Sequence, residues 1–207
     1  MYMPKNEGGD FAPPPAGTHV AVCYRLVDLG TQKVEFQGET KMQRKIMLSW
    51  ELPDELMEDG RPFTVSKRYT LSSHEKATLR AHLEAWRGRA FTEAELDPAN
   101  PAGFNIKNIL GKGCLLSVVH NTKDGKTYAN VGSLSKLLKN QTPPAPKNEI
   151  LYFSLDEFDP VAFDKLSDGI KKAISVSPEY LRRGAPQSGA DHYDERNPPP
   201  PDEDIPF

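Results

Sequence analysis

The 207-residue sequence predicts a mainly β domain, with one helix among the strands and polar extensions on either side. Apolar residues between positions 16 and 139 recur at every second position, which is typical of half-buried strands. Prolines mark the limits of this region, because only four of the 19 lie inside it. Proline-rich polar segments bury too little apolar surface to fold alone. The pattern therefore predicts one ordered body with irregular segments around it.

Three strands are predicted at the start of the body. The alternating segments are Thr18–Leu29, Ile46–Leu52 and Phe63–Leu71. Gly30 and the Leu56–Arg61 stretch are the expected turns, because strands of this length are bounded by glycine and polar residues. Trp50 and Phe63 are in phase with aliphatic neighbours, so core packing is expected for both.

A helix and a hairpin are predicted to complete the body. Over His74–Arg87 the apolar period becomes that of a helix, with Ser72 and Ser73 as candidate N-caps. Short helical turns are expected at Phe91–Leu96 and Phe104–Leu110. The final strands are Cys114–His120 and Thr127–Leu134, and Asp124-Gly125 between them is a strong hairpin signal.

The element order β-β-β-α-β-β predicts an OB-fold, a five-stranded Greek-key barrel with a helix between strands three and four. OB-folds bind oligonucleotides or oligosaccharides. Another small α+β domain with the same elements is the alternative. A short helical extension and a disordered tail are expected beyond the barrel.

Five regions are expected along the chain. They are a disordered arm at 1–15, the OB domain at 16–140, a proline-rich linker at 141–148, a strand and helical extension at 149–183, and a disordered acidic tail at 184–207. In the extension, Glu149–Ser154 predicts a strand, and Asp159–Ile174 and Ser177–Arg182 predict helices. This piece is too short for a core of its own, so it is expected to dock on the barrel or on a partner.

Charge is divided unevenly along the chain. The formal net charge is −3, but residues 1–140 hold 19 Lys and Arg against 16 Asp and Glu. Residues 141–207 hold 7 basic against 13 acidic residues. This division indicates a weakly basic body and an acidic interaction tail.

The last six residues form a candidate partner-binding tip. Three acidic residues precede an apolar end, and the sequence is Asp202, Glu203, Asp204, Ile205, Pro206 and Phe207. The acids would steer the tip to basic partners, and the proline would limit the entropy lost on docking. An aromatic ring and a terminal carboxylate together suit capture by an arginine or a backbone nest.

This tip resembles that of bacterial single-stranded DNA-binding proteins, which end in acidic residues and Ile-Pro-Phe. The body is longer than in those proteins. Its motifs, from Pro15-Ala-Gly-Thr-His and Asp28-Leu-Gly-Thr-Gln to Glu84-Ala-Trp-Arg-Gly-Arg and Leu110-Gly-Lys-Gly-Cys, resemble phage-encoded replication proteins with OB cores, as does the Ser177-Pro-Glu-Tyr stretch. The resemblance implies a phage single-stranded DNA-binding protein that coats DNA in replication, recombination and repair. It also implies partner enzymes that recognise the tip.

Binding of single strands requires cations near phosphates and rings that stack on bases. Basic and aromatic residues on the predicted strands and hairpins meet this requirement. The candidate DNA-binding residues are Arg25, Lys33, Phe36, Lys41, Arg44, Lys45, Lys67, Arg68, Tyr69, Lys123, Lys126 and Tyr128. Stacking is favoured for Phe36 and Tyr128, and for Tyr69 stacking and core packing are equally open.

No catalytic residue, metal or cofactor is expected. Asp28, Glu39 and Lys41 match a short acidic pattern of metal-dependent nucleases, and this enzyme is the weakest of three interpretations. A recombination mediator or strand-annealing protein is the main alternative to a coating protein. A homo-oligomer is possible in either case. No apolar run reaches the roughly 18 to 20 residues of a membrane span, so a cytoplasmic protein is expected, in a bacterial host if phage-encoded.

Overall fold

The structure is a computed structural model that describes residues 12–36 and 38–184. The expected acidic tail from 185 onward, including the Asp202–Phe207 tip, lies outside the described residues, and so does most of the expected N-terminal arm. The side chain of Phe36 is not described either.

The described residues form a mainly β fold around one twisted sheet of six strands. The strands are β1 Gly17–Phe36, β2 Glu39–Leu56, β3 Pro62–Thr70, β4 Gly113–Lys123, β5 Lys126–Ser135 and β6 Leu151–Phe153. The first five are antiparallel neighbours in the order β3-β2-β1-β4-β5, and β6 pairs in parallel with β1. The mainly β class predicted from the alternation is confirmed.

Short helices connect and follow these strands. They are α1 Thr78–Arg87, α2 Glu93–Leu96, α3 Pro160–Asp164, α4 Asp168–Ser175 and α5 Pro178–Gly184, with a 3₁₀ helix at Ile106–Ile109. The predicted caps of α1 are wrong, because Ala77 occupies the N-cap position without a side-chain hydrogen bond. The expected single helix from Asp159 to Ile174 is instead two helices, because α3 ends with Lys165 as its C-cap and α4 begins with Ser167 as its N-cap, with Leu166 buried between them.

Two β-bulges explain why β1 is longer than its alternation predicts. The register with β2 shifts between Cys23 and Arg25, and again between Asp28 and Gly30. Each bulge adds one residue to β1, so the side-chain alternation restarts after it. The expected turn at Gly30 is therefore wrong. The strand passes through Gly30 in a left-handed conformation, with φ of 71°, and pairs with β2 up to Phe36.

The main core lies between the inner face of the sheet and α1. Trp50 is fully buried, and Leu79, Leu83 and Trp86 of α1 pack against the same cluster. The Trp86 indole Nε1 donates a hydrogen bond of 2.8 Å to the Gly113 carbonyl at the start of β4. Helix α1 thus covers one side of the sheet.

A second core joins the 149–183 segment to other residues of β1 and β2. Its members are Val27, Leu29, Met47, Phe153, Leu155, Ala162, Leu166, Ile170 and Ile174. The preceding linker is held by Glu51, whose fully buried carboxylate accepts backbone N–H bonds from Lys147 at 2.5 Å and Asn148 at 2.8 Å. This segment and its linker therefore occupy part of the sheet surface that the main core leaves free.

Candidate nucleic-acid interface

The β4–β5 hairpin presents a ring and two cations to solvent. Its turn uses left-handed residues, Asp124 with φ of 51° and Gly125 with φ of 74°, as the Asp-Gly sequence predicts. Lys123 and Lys126 are exposed on either side of the turn. Tyr128 is 51% exposed, so its side chain is accessible to solvent.

A groove of about 320 Å³ lies between this hairpin and β3. Residues of β3, of β5, of the turn between β2 and β3 and of the segment before β1 line it, and they are Ala12, Pro13, Pro14, Met57, Phe63, Thr64, Val65, Ser66, Thr127, Tyr128 and Ala129. β3 and β5 are the outer strands of the antiparallel path, so each has one edge without a strand partner among the described residues. Phe63, expected in the core, is partly buried and contributes to this groove.

Lys67 and Tyr69 of β3 are held within the fold. The Lys67 ammonium donates a hydrogen bond of 2.8 Å to the Val131 carbonyl of β5, which links the two outer strands. Tyr69 is 3% exposed, and its hydroxyl lies 2.9 Å from His82 Nδ1. Burial raises the pKa of the Tyr69 phenol. The sequence left stacking and core packing equally open for Tyr69, and the structure shows core packing. Arg68, between Lys67 and Tyr69 along β3, is exposed.

Arg25 lies part-way along β1 and is half-buried. Its Nε donates a hydrogen bond of 3.1 Å to Ser49 Oγ on β2, and Ser49 Oγ lies 2.8 Å from Ser66 Oγ on β3. The guanidinium carbon is 5.4 Å from the centre of the Tyr24 ring. Arg25 is thus part of a polar row that crosses three strands and ends at a residue lining the groove.

The β1–β2 hairpin carries cations that are each beside an acid. Lys33 Nζ lies 3.4 Å from Glu35, and Lys41 Nζ lies 3.1 Å from Glu39. All four side chains are more than half exposed. The hairpin is therefore close to neutral, and the attraction expected between it and phosphate is reduced.

Arg44 is tied to two acids, so it does not offer a free cation. Its Nη2 lies 2.6 Å from Asp28 and 2.7 Å from Asp156. The hydrogen bond to Asp28 is the main cause that raises the Arg44 pKa above its ordinary value. The buried Asp28 carboxylate also accepts N–H bonds from Gly30 and Leu155. Arg44 thus joins β2 to the 149–183 segment, and its role in DNA binding stays a prediction.

Lys45, next along β2, is also engaged within the protein. Its ammonium donates hydrogen bonds of 2.7 Å to Gln43 Oε1 and 2.6 Å to Thr70 Oγ1. Burial lowers the pKa of this ammonium. A phosphate contact by Lys45 would have to replace these two hydrogen bonds.

The acidic pattern of metal-dependent nucleases is not assembled. Asp28 pairs across the sheet with Ile46, and Lys41 precedes Ile46 by five residues on the same strand. At about 3.4 Å per residue this places Lys41 roughly 17 Å from the position opposite Asp28. Asp28 is moreover fully engaged with Arg44 and two backbone N–H groups. The three residues therefore do not share a site.

A larger cavity of about 680 Å³ lies between α1 and the loop that follows it. Leu83, Phe91 and Phe104 supply much of its apolar lining, and Arg80 is at its rim. The Arg80 guanidinium is paired with Glu84 at 2.9 Å. Glu95 and Asp97 also line this cavity, so a phosphate would meet acidic side chains there.

None of the helices in the described part of the chain has the length and apolar content of a membrane-spanning segment. Across those same residues, no group of three or more His, Cys, Asp or Glu side chains is arranged to hold a metal ion. A comparison with models of protein families finds no match to the chain, and neither does a comparison with curated proteins.

Sequence reasoning misses the contribution of the N-terminal prolines to the groove. Pro13 and Pro14 lie about 50 residues from Phe63 and more than 110 from Tyr128 along the chain, so no local pattern connects them. Only the folding of the sheet brings these residues to one place. Tyr128, in contrast, is recognisable from its place beside a basic turn.

Proposed function

We propose that the protein binds single-stranded DNA without sequence preference, through an OB-type barrel that is open between β3 and β5. The strand path carries this proposal. The order β3-β2-β1-β4-β5, with α1 between β3 and β4, is the neighbour order of a five-stranded OB barrel, and the Lys67–Val131 contact brings the two ends of the path together. Such barrels bind oligonucleotides on strand faces flanked by hairpins.

The charges and rings on the surface support the same function. Lys123, Lys126 and Arg68 are exposed, and Lys126 and Arg68 lie on the same strands as the groove residues Tyr128 and Ser66. Cations beside phosphates and rings beneath bases are the two requirements of sequence-tolerant binding to single strands. The proposed DNA site is therefore the β3 side of the β4–β5 hairpin.

The Asp202–Phe207 segment is proposed to recruit enzymes of replication, recombination or repair. Its support is the acidic and apolar sequence and the resemblance to the tips of bacterial single-stranded DNA-binding proteins. Removal of Phe207 should leave the affinity for single-stranded DNA unchanged and abolish binding to a purified replication or repair enzyme that recognises such tips. Retained binding to that enzyme would contradict this part of the proposal.

Salt dependence of DNA binding tests the site directly. Each phosphate contact to a single strand contributes about −0.7 to the slope of log affinity against log salt. Replacing both Lys123 and Lys126 with alanine should weaken binding to a labelled dT oligomer and make the slope shallower by about 1.4, measured by fluorescence anisotropy. The matched control replaces Lys33 and Lys41, which are also exposed but lie beside Glu35 and Glu39.

Two results would count against the proposal. One is a wild-type protein that does not bind dT oligomers at low salt, which would reject the function. The other is an equal loss of affinity and slope in the two double variants, which would place the DNA elsewhere. The same reactions with Mg²⁺ added should show binding without shortening of the oligomer, and Mg²⁺-dependent shortening would indicate a nuclease.

A further inference from the structure

The groove beside Tyr128 has a third wall made by the N-terminal segment. Ala12, Pro13 and Pro14 line the groove together with β3 and β5. Pro14 is buried although it precedes the first strand. The fold therefore includes this segment in the surface proposed to bind DNA, although the sequence alone predicts that it is disordered.

Two histidines hold this segment in place through its carbonyl groups. His120 Nε2, from β4, donates a hydrogen bond of 2.8 Å to the Pro14 carbonyl. His19 Nε2, from β1, donates one of 2.9 Å to the Pro15 carbonyl, and its Nδ1 lies 3.1 Å from Glu55. Prolines have no backbone N–H, so a proline segment can be fixed by polar contacts only through its carbonyls. His19 and His120 supply those contacts from two adjacent strands.

The walls of the groove match the chemistry of a nucleobase. Tyr128 provides an exposed ring, and Pro13 and Phe63 provide apolar surface. Thr64 and Thr127 are exposed beside them, and the facing edges of β3 and β5 present backbone groups without strand partners in the described residues. A base needs apolar contact on its faces and hydrogen bonds at its rim. A volume of about 320 Å³ is at the lower end of ligand sites, which suits a single base.

A β-strand of another protein is the other candidate occupant of the groove, because it could pair with the free edges of β3 and β5. The charge on the lining strands favours nucleic acid, because the exposed Lys126 directly precedes Thr127 on β5 and the exposed Arg68 follows Ser66 by two residues on β3. The 149–183 segment also covers Val27 and Met47 on β1 and β2, which removes that part of the sheet surface as a path for DNA. The uncovered sheet surface and the exposed cations therefore both place a DNA strand at the groove between β3 and β5.

We propose that the groove between β3 and β5 holds one unstacked nucleobase against Tyr128, and that the segment Ala12–Pro14, fixed by His120 and His19, is the opposite wall. The inference rests on the proposed function and names the subsite that performs it. Tyr128 is the stacking residue, and His120 is a positioning residue that acts through Pro14.

The test combines affinity with a signal specific to stacking. A dT oligomer that contains one 2-aminopurine reports stacking as a loss of fluorescence, and anisotropy of an end-labelled oligomer reports affinity. Tyr128→Ala should raise Kd by roughly 5- to 150-fold, the effect of losing one stacked base, and should restore 2-aminopurine fluorescence. Tyr128→Phe should keep both values near those of the wild type.

The histidine is tested with a conservative variant and a matched control. His120→Ala should raise Kd roughly 2- to 10-fold, the effect of one lost hydrogen bond, and reduce the quenching of 2-aminopurine. His120→Gln keeps an N–H donor and should recover most of the loss. His74→Ala, in the exposed loop before α1, should change neither signal.

The outcomes separate this inference from the function on which it rests. If the wild type binds dT oligomers and Tyr128→Ala binds them equally well, the subsite is wrong and the function stands. If His120→Ala and His74→Ala behave alike while Tyr128→Ala loses affinity, the N-terminal wall is wrong. If Tyr128→Ala keeps its affinity for DNA but changes the mass of the protein in solution, the groove holds a strand of a second copy. If the wild type does not bind, both proposals fail.

Discussion

Gly30 is the position at which the 149–183 segment meets β1 most closely. Its φ of 71° is left-handed, and a Cβ added there would lie 2.5 Å from Ser177 Cβ and 2.8 Å from Leu155 Cδ1. Gly60 has nearly the same backbone, with φ of 80°, but nothing lies within 4 Å of an added Cβ. Both glycines therefore require a left-handed backbone, but only Gly30 has no room for a Cβ atom.

Replacing each glycine with alanine separates strain from contact. Gly60→Ala should lower the free energy of unfolding by about 1 to 2 kcal/mol, the cost of a left-handed L-residue. Gly30→Ala carries the same strain and must also displace Ser177 and Leu155, which adds about 1 to 3 kcal/mol. The expected total for Gly30→Ala is about 2 to 5 kcal/mol.

Urea unfolding of both variants measures this difference, and trypsin cleavage in native buffer reports whether the segment is released. Gly30→Ala should be cut faster at Lys171 and Lys172 than Gly60→Ala. Adding Ser177→Gly to Gly30→Ala should recover part of the lost stability, because it removes the nearest atoms. Equal losses in the two single variants, with equal cleavage rates, would show that the segment does not pack on β1 at Gly30.

Two further predictions concern ion pairs. Arg44→Ala leaves the buried Asp28 carboxylate with only backbone partners, so urea unfolding should show a loss of about 1.5 to 3 kcal/mol. Unchanged stability with weaker DNA binding would show instead that Arg44 acts in the DNA site. The Arg89 hydrogen bond lowers the pKa of Glu95 from 4.5 to about 2. Because the folded pKa lies below the unfolded one, this stabilisation is complete above about pH 5 and is lost as pH falls towards 2. The difference in Tm between wild type and Glu95→Gln should therefore shrink over that interval, and a difference independent of pH would refute the assignment.

Local patterns were sufficient for several features of this fold and site. Alternation predicted the mainly β class, and the Asp124-Gly125 pair marked the β4–β5 hairpin that carries Lys123, Lys126 and Tyr128. Trp50, in phase with aliphatic neighbours, is buried as expected. These features depend on residues within a few positions of one another, which a sequence displays directly.

Positions that depend on distant partners were not predictable in the same way. In the sequence Arg44 resembled the other basic residues of the β1–β2 hairpin. Only the folded chain shows its ion pair with Asp156, which lies 112 residues later. Tyr69 follows two cations, yet its contact with His82 of α1 places it in the core. The groove likewise depends on Pro14 and Tyr128 meeting across the sheet.

The sequence by itself determined the strand-rich class, the basic hairpin with its tyrosine and the division of charge between body and tail. Tertiary structure decided which cations are free of acidic partners and where the bulges in β1 change the side of the sheet that its side chains face. It also decided how the 149–183 segment and the N-terminal prolines pack on the sheet. The physical reason is that periodicity and turn chemistry act over a few residues. Burial and ion pairing, in contrast, depend on groups that only the folded chain brings within a few ångströms.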